Sequence, residues 1–279
     1  MRLKQTLQRA IENLTAHDVG SPRLNAETLL MFTLGCDRAY LYAHPERELS
    51  AEESERYSQV VGERANGKPS QYIIGHQEFW GLDFLVSPAV LIPRPETEHL
   101  IEAVLELAPD RASSLHIIDV GTGSGCLALT LAHEFPNAEV HGTDISNDAL
   151  EIARINRERL DLGRVKFHHC DLLEGLDGEG RFDLIISNPP YVSEAEPEKV
   201  QRQVREFEPK VAVFAGPTGL EIYRRLIPQA AGFLVPGGWL LMEIGFSIEA
   251  QVRELLQGWS EIRTRNDLQG IPRVIAARK

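Results

Sequence analysis

The sequence predicts an α/β fold built on a doubly wound, mostly parallel sheet. From about residue 96 onward, apolar runs of strand length alternate with helical patterns, as expected where helices join parallel strands. A glycine-rich turn at residues 121–125 links one of these strands to a helix. Another strand stops at Pro189 and Pro190, because proline lacks the N–H group that continues a sheet.

The spacing of apolar residues sets the predicted elements of this part of the chain. Helices are predicted over residues 97–108, 124–135, 146–161, 219–231 and 247–257. Strands are predicted over residues 115–120, 138–143, 165–169, 182–187, 238–244, 261–266 and 272–277. We expect these strands to form one sheet with right-handed crossovers.

The beginning of the chain is predicted to form a small helical bundle. Ser21 and Pro22 have the order of an N-cap and a first helical residue, and Gly35 ends that helix. Ser50 and Glu53 have the spacing of a capping box for a later helix. No cluster of reactive side chains stands in this region, so we interpret it as a surface for a macromolecular partner; a lid, or an appendage that only adds stability, is the alternative.

A linker is predicted between the helical bundle and the sheet. Two extended pieces flank Trp80 and Gly81 and indicate a β-hairpin. Pro93 and Pro95 then keep the chain extended before the next helix, where this segment can close over a site. The predicted parts are a helical bundle over residues 1–72, the hairpin linker over residues 73–95 and the sheet domain over residues 96–279.

Charge and composition limit the partners. The 279 residues include 29 basic and 41 acidic side chains, which gives a net charge of −12. Since nucleic-acid affinity comes largely from cations that neutralise phosphates, no direct nucleic-acid binding is expected. No apolar stretch is long enough to span a bilayer, and the first residues lack the apolar core of a signal peptide. We expect a cytoplasmic monomer with no membrane partner.

Cysteine and histidine positions do not predict a metal site. Cys36, Cys126 and Cys170 are scattered and lack a Cys-x-x-Cys spacing, which argues against disulfides and against zinc. His168 and His169 stand beside Cys170 on a predicted strand. Because neighbours on a strand point to opposite faces, they cannot converge easily on one ion. We interpret these side chains as structural.

The glycine-rich turn is predicted to hold a nucleotide-like cofactor. Its glycines let the main chain approach a ligand, and the helix that follows presents free N–H groups. Asp144 ends the next strand, where a carboxylate can accept hydrogen bonds from ribose hydroxyls. Asp171 ends the strand after that and can accept from an adenine amino group. An ordinary turn aspartate is the alternative interpretation of Asp171.

Two cofactor classes fit a strand, a glycine turn and a helix. The dinucleotide fingerprint Gly-x-Gly-x-x-Gly would need its third glycine at Cys126, whereas this turn has Gly-x-Gly-x-Gly. S-adenosyl-L-methionine (AdoMet) is a cation without a pyrophosphate, so it suits the acidic Asp119 just before the turn. The residues favour AdoMet over a dinucleotide.

The tetrapeptide Asn188-Pro189-Pro190-Tyr191 carries the predicted chemistry. It leaves a buried parallel strand at the carboxyl edge of the sheet, where open α/β sheets bind ligands. The Asn188 amide and the Pro189 carbonyl can accept the two hydrogens of a planar NH₂ group. Such a motif is typical of AdoMet-dependent methyltransferases that act on planar amide or base nitrogens. A proline-rich exit from the strand without chemistry is the alternative.

These residues together resemble the PrmC/HemK family of peptide chain release factor N5-glutamine methyltransferases. The resemblance runs from about residue 70 to the C-terminus, and its most specific stretches are Pro93-Arg94-Pro95-Glu96-Thr97-Glu98 and Asn188-Pro189-Pro190-Tyr191. The other matching stretches start at Gln71, Glu78, Asp119, Asp144, Glu208, Gly219, Glu243 and Asp267. The first 70 residues match only as a helical bundle.

The resemblance implies a Rossmann-like class I AdoMet-dependent methyltransferase with a seven-stranded, mostly parallel sheet. It implies methyl transfer from AdoMet to the glutamine amide of a Gly-Gly-Gln motif in class I release factors, whose binding would fall to the helical bundle. The implied cofactor-binding residues are Asp119, Gly121, Thr122, Gly123, Ser124, Gly125, Asp144, Ile145, Asp171, Leu172 and Asn188. The implied catalytic and substrate-binding residues are Asn188, Pro189, Pro190 and Tyr191.

Two other functions stay open at this point. A nucleic-acid base methyltransferase, for adenine N6, cytosine N4 or guanine N2, also grips a planar NH₂ group. The acidic charge balance and the lack of a sizeable basic domain argue against it. A non-catalytic AdoMet-binding adaptor is the other possibility, and the intact Asn-Pro-Pro-Tyr tetrapeptide argues against it.

Overall fold

The computed structural model describes residues 1–176, 178–195 and 197–279, and for Lys199 the backbone alone. The helices are α1 (Leu3–Ala16), α2 (Pro22–Leu34), α3 (Arg38–Ala43), α4 (Ala51–Ala65), α5 (Ser70–Ile74), α6 (Glu98–Leu107), α7 (Cys126–Glu134), α8 (Asn147–Arg159), α9 (Arg202–Phe207), α10 (Lys210–Val213), α11 (Glu221–Phe233) and α12 (Glu249–Leu255). The strands are β1 (His76–Phe79), β2 (Leu82–Leu85), β3 (His116–Val120), β4 (Glu139–Asp144), β5 (Lys166–His169), β6 (Phe182–Ser187), β7 (Leu234–Glu243), β8 (Glu261–Asn266) and β9 (Pro272–Arg278).

The chain divides into two compact units. One comprises Met1–His76 together with Arg202–Phe207, and the other comprises Gln77–Gln201 together with Glu208–Lys279. The first is helical and has its own apolar core, in which Leu14, Leu29 and Tyr57 are buried. The short helix α9 therefore belongs to the helical unit although it lies far along the chain.

Arg64 shows how α9 joins the helical unit. Its guanidinium is buried and donates to Asn25 Oδ1 at 2.8 Å, to the Lys68 carbonyl at 3.2 Å and to Gln203 Oε1 at 2.8 Å. Three satisfied donors allow a charged group to be buried. Helix α9 could not be predicted from the sequence, because six residues carry too little periodicity.

The helix ends of the first unit are mostly as predicted, with one correction. Ser50 and Glu53 form the predicted capping box, and Gly35 ends α2 in the left-handed conformation. Ser21 precedes α2 as predicted, but its side chain does not cap the helix. Its φ is 49° instead of the extended value that capping needs, so its hydroxyl misses the free N–H groups.

The second unit contains a seven-stranded sheet in the order β5-β4-β3-β6-β7-β9-β8. The five strands from β5 to β7 are parallel neighbours, and β9 runs antiparallel to both β7 and β8. The predicted mostly parallel fold is therefore confirmed. Two apolar clusters cover the two faces: one contains Ile117 and helices α6 and α7, the other Ile118 and helices α11 and α12.

The predicted strands agree with the structure apart from the start of β7. The strand was predicted from residue 238, because Pro236, Gly237 and Gly238 usually interrupt strands, but it begins at Leu234. The register between β6 and β7 is irregular at these three residues. Phe182 pairs with Leu234, whereas Leu184 pairs with Trp239, so β7 has extra residues at this point. The hairpin forms as predicted, as a separate two-stranded sheet of β1 and β2.

Asn156 on α8 ties the hairpin to the glycine turn. Its buried amide accepts from the Leu85 N–H at 2.7 Å and donates to the carbonyls of Leu85 and Ser124 at 3.0 and 2.9 Å.

Among the described residues, no helix has the length and apolar character needed to cross a bilayer.

Candidate active site

A cavity of about 250 Å³ lies at the carboxyl edge of the parallel strands. Consecutive parallel neighbours β5, β4, β3 and β6 end at this edge, and the loops that follow them form the wall. The wall includes most of the sequence-predicted site residues: Gly121, Thr122, Gly123, Ser124, Asp144, Ile145, Asp171, Leu172, Asn188 and Pro190. Asp119, Gly125, Pro189 and Tyr191 lie off the wall.

The glycine turn is held open by hydrogen bonds to β4. The N–H groups of Gly121 and Thr122 both donate to the Thr143 carbonyl, at 2.9 and 2.8 Å. Gly121 and Gly123 have left-handed φ values of 76° and 56°, and a Cβ at either position would enter open space. The turn therefore leaves room for a ligand beside its main chain.

Asp144 presents a carboxylate to the cavity. Its Oδ2 accepts from the Gly123 N–H and its Oδ1 from the Ser146 N–H, both at 2.9 Å. A carboxylate has about four lone-pair positions, and main-chain N–H groups do not use all of them. Burial raises the pKa of Asp144 above its usual value. The two hydroxyl groups of a ribose can donate hydrogen bonds to the remaining lone pairs of this carboxylate.

Asp119 is buried behind the glycine turn, off the cavity wall. Its Oδ2 accepts from the Thr122 hydroxyl at 2.6 Å, whereas its Oδ1 has no hydrogen-bond partner among the described residues. Burial raises the pKa of Asp119 to about 7. The hydrogen bond from Thr122 lets Asp119 fix the turn. Direct ligand binding by Asp119, which its position before the turn suggested, stays a prediction.

Asp171 and Leu172 line the cavity together with a residue that the sequence analysis missed. The Asp171 Oδ2 accepts from Arg225 Nη2 at 2.7 Å, and Arg225 itself is part of the wall. Leu172 has a φ of 56°, a left-handed value that is costly for a leucine. Arg225 lies on α11, and nothing in its sequence context marks it.

Thr97 and Glu243 fix which way the Asn188 amide faces. When Glu243 is ionised, the single Thr97 hydroxyl hydrogen is donated to Glu243 Oε2 at 2.7 Å. Thr97 Oγ1 can then only accept from Asn188, so the contact at 3.0 Å must come from the Asn188 NH₂ group. The Asn188 oxygen is left for the cavity, and no described group of the protein donates to it.

Glu243 is the buried centre of this network. Its Oε1 accepts from the Tyr191 hydroxyl at 3.2 Å, and its main-chain carbonyl accepts from the Tyr223 hydroxyl at 2.7 Å. Burial raises the pKa of Glu243 to about 7. The Glu243 charge, with burial, raises the pKa of Tyr191, which therefore stays protonated and donates. Thr97 and Glu243 stand in the family-like stretches, but no role was predicted for them.

Glu208 anchors the segment that forms one side of the cavity. Its carboxylate is buried and accepts from the Ile92 N–H at 3.1 Å and from the Arg94 guanidinium. Leu91, Pro93 and Arg94 belong to the wall. The extended segment between the hairpin and α6 is thus held against the cavity.

The residues present fit AdoMet. Open space beside the left-handed glycines accommodates a ligand, Asp144 keeps unused acceptor positions, and the acidic groups Asp119 and Asp144 suit a cation. Within the described part of the chain, no cationic side chain is hydrogen-bonded to the glycine turn, which makes a pyrophosphate a poorer fit.

Two family models match the chain. One, described as "PrmC N-terminal domain", covers residues 5–75. The other, described as "Methyltransferase domain", covers residues 111–218.

Similar proteins were found over the full length. The chain is 57% identical over 279 residues to a protein of Koribacter versatilis named "Release factor glutamine methyltransferase", covering 100% of this chain and 99% of that one. It is 42% identical over 267 residues to a protein of the same name from Geobacter sulfurreducens, covering 95% and 92%.

The fold has counterparts among solved structures. A 16S rRNA N2 G1207 methyltransferase of T. thermophilus, solved with AdoMet and guanosine, aligns with a TM-score of 0.54 at 22% identity. The alignment covers 73% of this chain and 49% of that one. Such a likeness concerns the methyltransferase fold.

Proposed function

The chain belongs to the release factor glutamine methyltransferase family, and on this basis we propose that it methylates the N5 side-chain amide of a glutamine in a protein substrate. Its cofactor is AdoMet. The substrate glutamine is that of the Gly-Gly-Gln motif in class I peptide chain release factors, and the reaction supports translation termination. When bound, AdoMet supplies an electrophilic methyl group on a sulfonium sulfur.

The protein must overcome the poor nucleophilicity of an amide nitrogen, whose lone pair is delocalised into the carbonyl. Asn188 Oδ1 and the Pro189 carbonyl accept the two N–H hydrogens of the glutamine and so turn its lone pair toward the methyl group. Holding reactants in such a near-attack geometry lowers barriers by about 7–11 kcal/mol in favourable cases. Pro190 stiffens the loop, and Tyr191, which lies off the cavity wall, supports the loop through its hydrogen bond to Glu243.

No general base is needed before the transfer. The N-methylated amide cation is strongly acidic and loses its proton to water afterwards. The ionisable group nearest to Asn188 in this network is Glu243, which acts through Thr97 and does not touch the substrate. We therefore assign Glu243 and Thr97 as positioning residues.

The orientation of the Asn188 amide is the observation that carries this proposal. An acceptor oxygen directed at the cavity suits an NH₂ substrate, whereas an NH₂ group directed there would repel it. The test is Asn188→Ala, assayed with methyl-labelled AdoMet and a release factor. We expect turnover to be lost while AdoMet binding is retained in part. Wild-type turnover by Asn188→Ala would refute the assigned role.

The alternative substrate, an amino group of a nucleic-acid base, is tested in the same assay. Labelled AdoMet is offered with release factor and separately with DNA or RNA. We expect label on the protein glutamine and none on nucleic acid. Label on nucleic acid alone would reverse the assignment of substrate.

The helical unit is proposed to bind the release factor. Leu24 and Phe32 on α2 and Tyr42 on α3 are large apolar side chains that remain exposed, at 52%, 38% and 61%. Exposed apolar side chains of this size often belong to interaction surfaces. We further propose that the chain acts in the cytoplasm, where release factors work, and as a single copy, since one chain supplies the cavity wall described above.

A further inference from the structure

Three histidines and two glutamates cluster beside one face of β3, β4 and β5, and none of them lines the cavity. His116 and Glu139 are register partners at the start of β3 and β4, and His141 lies two residues after Glu139 on the same face of the sheet. The ligand atoms of His116, Glu139 and His141 all lie within 4.8 Å of one another. From this geometry we propose that His116, Glu139 and His141 form a binding site for a divalent transition metal ion of the zinc class.

The distances match a tetrahedral site. His116 Nε2 lies 3.3 Å from His141 Nε2, and Glu139 Oε1 lies 3.2 Å from His141 Nε2. For the third pair, His116 Nε2 lies 4.0 Å from the other carboxylate oxygen, Glu139 Oε2. Ligand atoms about 2.0–2.1 Å from a tetrahedral zinc ion are about 3.3 Å apart, so two edges already have that length. Glu139 is half exposed and has room to close the third edge.

The hydrogen bonds of His116 leave a free lone pair for the ion. His116 Nδ1 lies 2.8 Å from the Arg181 carbonyl, and a carbonyl can only accept, so Nδ1 carries the hydrogen. In the neutral ring, Nε2 is then the unprotonated nitrogen and faces His141. Metal-binding histidines are oriented in this way by a hydrogen bond to the other ring nitrogen.

His141 has a comparable support. Its ring is fully buried, and its Nδ1 lies 3.0 Å from His168 Nε2 and 3.7 Å from Glu179 Oε2. An Nδ1–H directed at His168 leaves the Nε2 of His141 for the ion.

The charges around the site favour a cation overall. Glu139 supplies a carboxylate to the site, and this carboxylate accepts a hydrogen bond from Lys166. Lys166 Nζ, 2.6 Å from Glu139 Oε1, is the one cation in contact with these ligands among the described residues, and Glu179 adds a second negative charge nearby.

The earlier interpretation of the histidines is thereby modified. His168 and His169 do face apart, since His169 Nε2 lies 2.9 Å from the Ile145 carbonyl at the other side of the strand. The convergence comes instead from neighbouring strands, where His116, Glu139, His141 and His168 share a face. Neighbours along one strand could not reveal it.

Cobalt titration of the full-length, chelator-treated protein tests the proposal, because four-coordinate Co²⁺ with protein ligands absorbs strongly in the visible range. We expect the four-coordinate spectrum to saturate at one ion per chain, and zinc to displace the cobalt. His116→Ala and Glu139→Gln should each weaken binding, His116→Ala by more than about 100-fold, whereas His168→Ala removes only a supporting hydrogen bond and should cost about 10–100-fold.

His133→Ala is the matched control, since His133 is exposed on α7 and belongs to no such cluster among the described residues. Circular dichroism and AdoMet binding verify that each variant is folded. If His116→Ala does not fold, Glu139→Gln replaces it in the comparison with the control. Absence of the four-coordinate spectrum in the wild type, or equal affinity of His116→Ala and His133→Ala, overturns the proposal. Loss of binding in His168→Ala with retention in His116→Ala also overturns it, because the ion would then lie among His141, His168 and Glu179.

Discussion

Thr97 determines the function of Asn188 although it is not predicted to touch the substrate. Removing its hydroxyl frees the Asn188 amide to rotate, and one of the two orientations presents NH₂ to an NH₂ substrate. We predict that Thr97→Val lowers kcat by about 10- to 100-fold, or about 1.4–2.7 kcal/mol of barrier, with AdoMet affinity nearly unchanged. Thr97→Ser keeps the hydroxyl and should retain most activity. Equal kcat values for the two variants would contradict this account.

Glu243 should make methyl transfer depend on pH. Below its pKa of about 7 the carboxyl group is protonated and can donate to Thr97, which releases the Thr97 hydrogen toward the Asn188 oxygen and reverses the amide. We therefore predict that kcat at saturating AdoMet rises as pH increases through about 7. Glu243→Gln, with an NH₂ group beside Thr97, should have a lower kcat without this rise. If kcat of Glu243→Gln still rose with pH through about 7, the pH dependence would belong to another group, such as Asp119.

At the scale of single side chains, candidates could be named where a motif supplied a chemical reason, and their roles stay predictions. Asp144, Asp171 and Asn188 all follow strands, and the structure brings them to one cavity. Thr97 and Glu243 are 146 positions apart, and their contact exists only once α6 packs beside β7. No local pattern in the sequence can predict a contact between residues so far apart in the chain.

The extended segment before α6 depends on one buried carboxylate. Glu208→Ala would leave the Ile92 N–H and the Arg94 guanidinium without their acceptor. We predict a loss of about 3 kcal/mol in the free energy of unfolding, at the low end for a broken buried pair because Arg94 retains access to water. Urea denaturation measures it.

Glu206→Ala is the control for that measurement. Glu206 accepts from Arg202 in an exposed pair, and its removal should cost less than about 1 kcal/mol. Similar losses in the two variants would show that Glu208 does not anchor the segment.

Helices and strands with a clear period were predicted to within a few residues, and the failures have local causes. The start of β7 was missed because Pro236 and two glycines lie in an irregular register that a neighbouring strand stabilises. Helices α9 and α10 were not predicted because they have only six and four residues. Short helices depend on tertiary packing more than on their own propensity.

The division into a helical unit and a sheet unit suggests a division of labour between docking and chemistry. We predict that Leu24→Glu and Phe32→Glu raise the KM for an intact release factor about tenfold and leave kcat and AdoMet affinity unchanged. Methylation of a short Gly-Gly-Gln peptide should be unaffected, since it lacks the rest of the release factor. Ile155→Glu, at an exposed apolar position of α8, is the control. A release-factor KM equal to that of the control would contradict the docking role.

The sequence could predict the fold class because the alternation of strands and helices is a property of the whole chain and tolerates local errors. It could not predict that residues 202–207 belong to the helical unit, since that assignment depends on Arg64 reaching Gln203 across 139 positions. The same limit applies to the histidine cluster, which three strands assemble.

A crystal structure with a Gly-Gly-Gln peptide and the demethylated cofactor would test the gripping of the glutamine most directly. We predict that the glutamine side-chain nitrogen lies within hydrogen-bonding distance of Asn188 Oδ1 and of the Pro189 carbonyl, and faces the cofactor sulfur. The Asn188 NH₂ group should still contact Thr97. A glutamine bound elsewhere, or one whose carbonyl oxygen faces the Asn188 amide, would contradict the account.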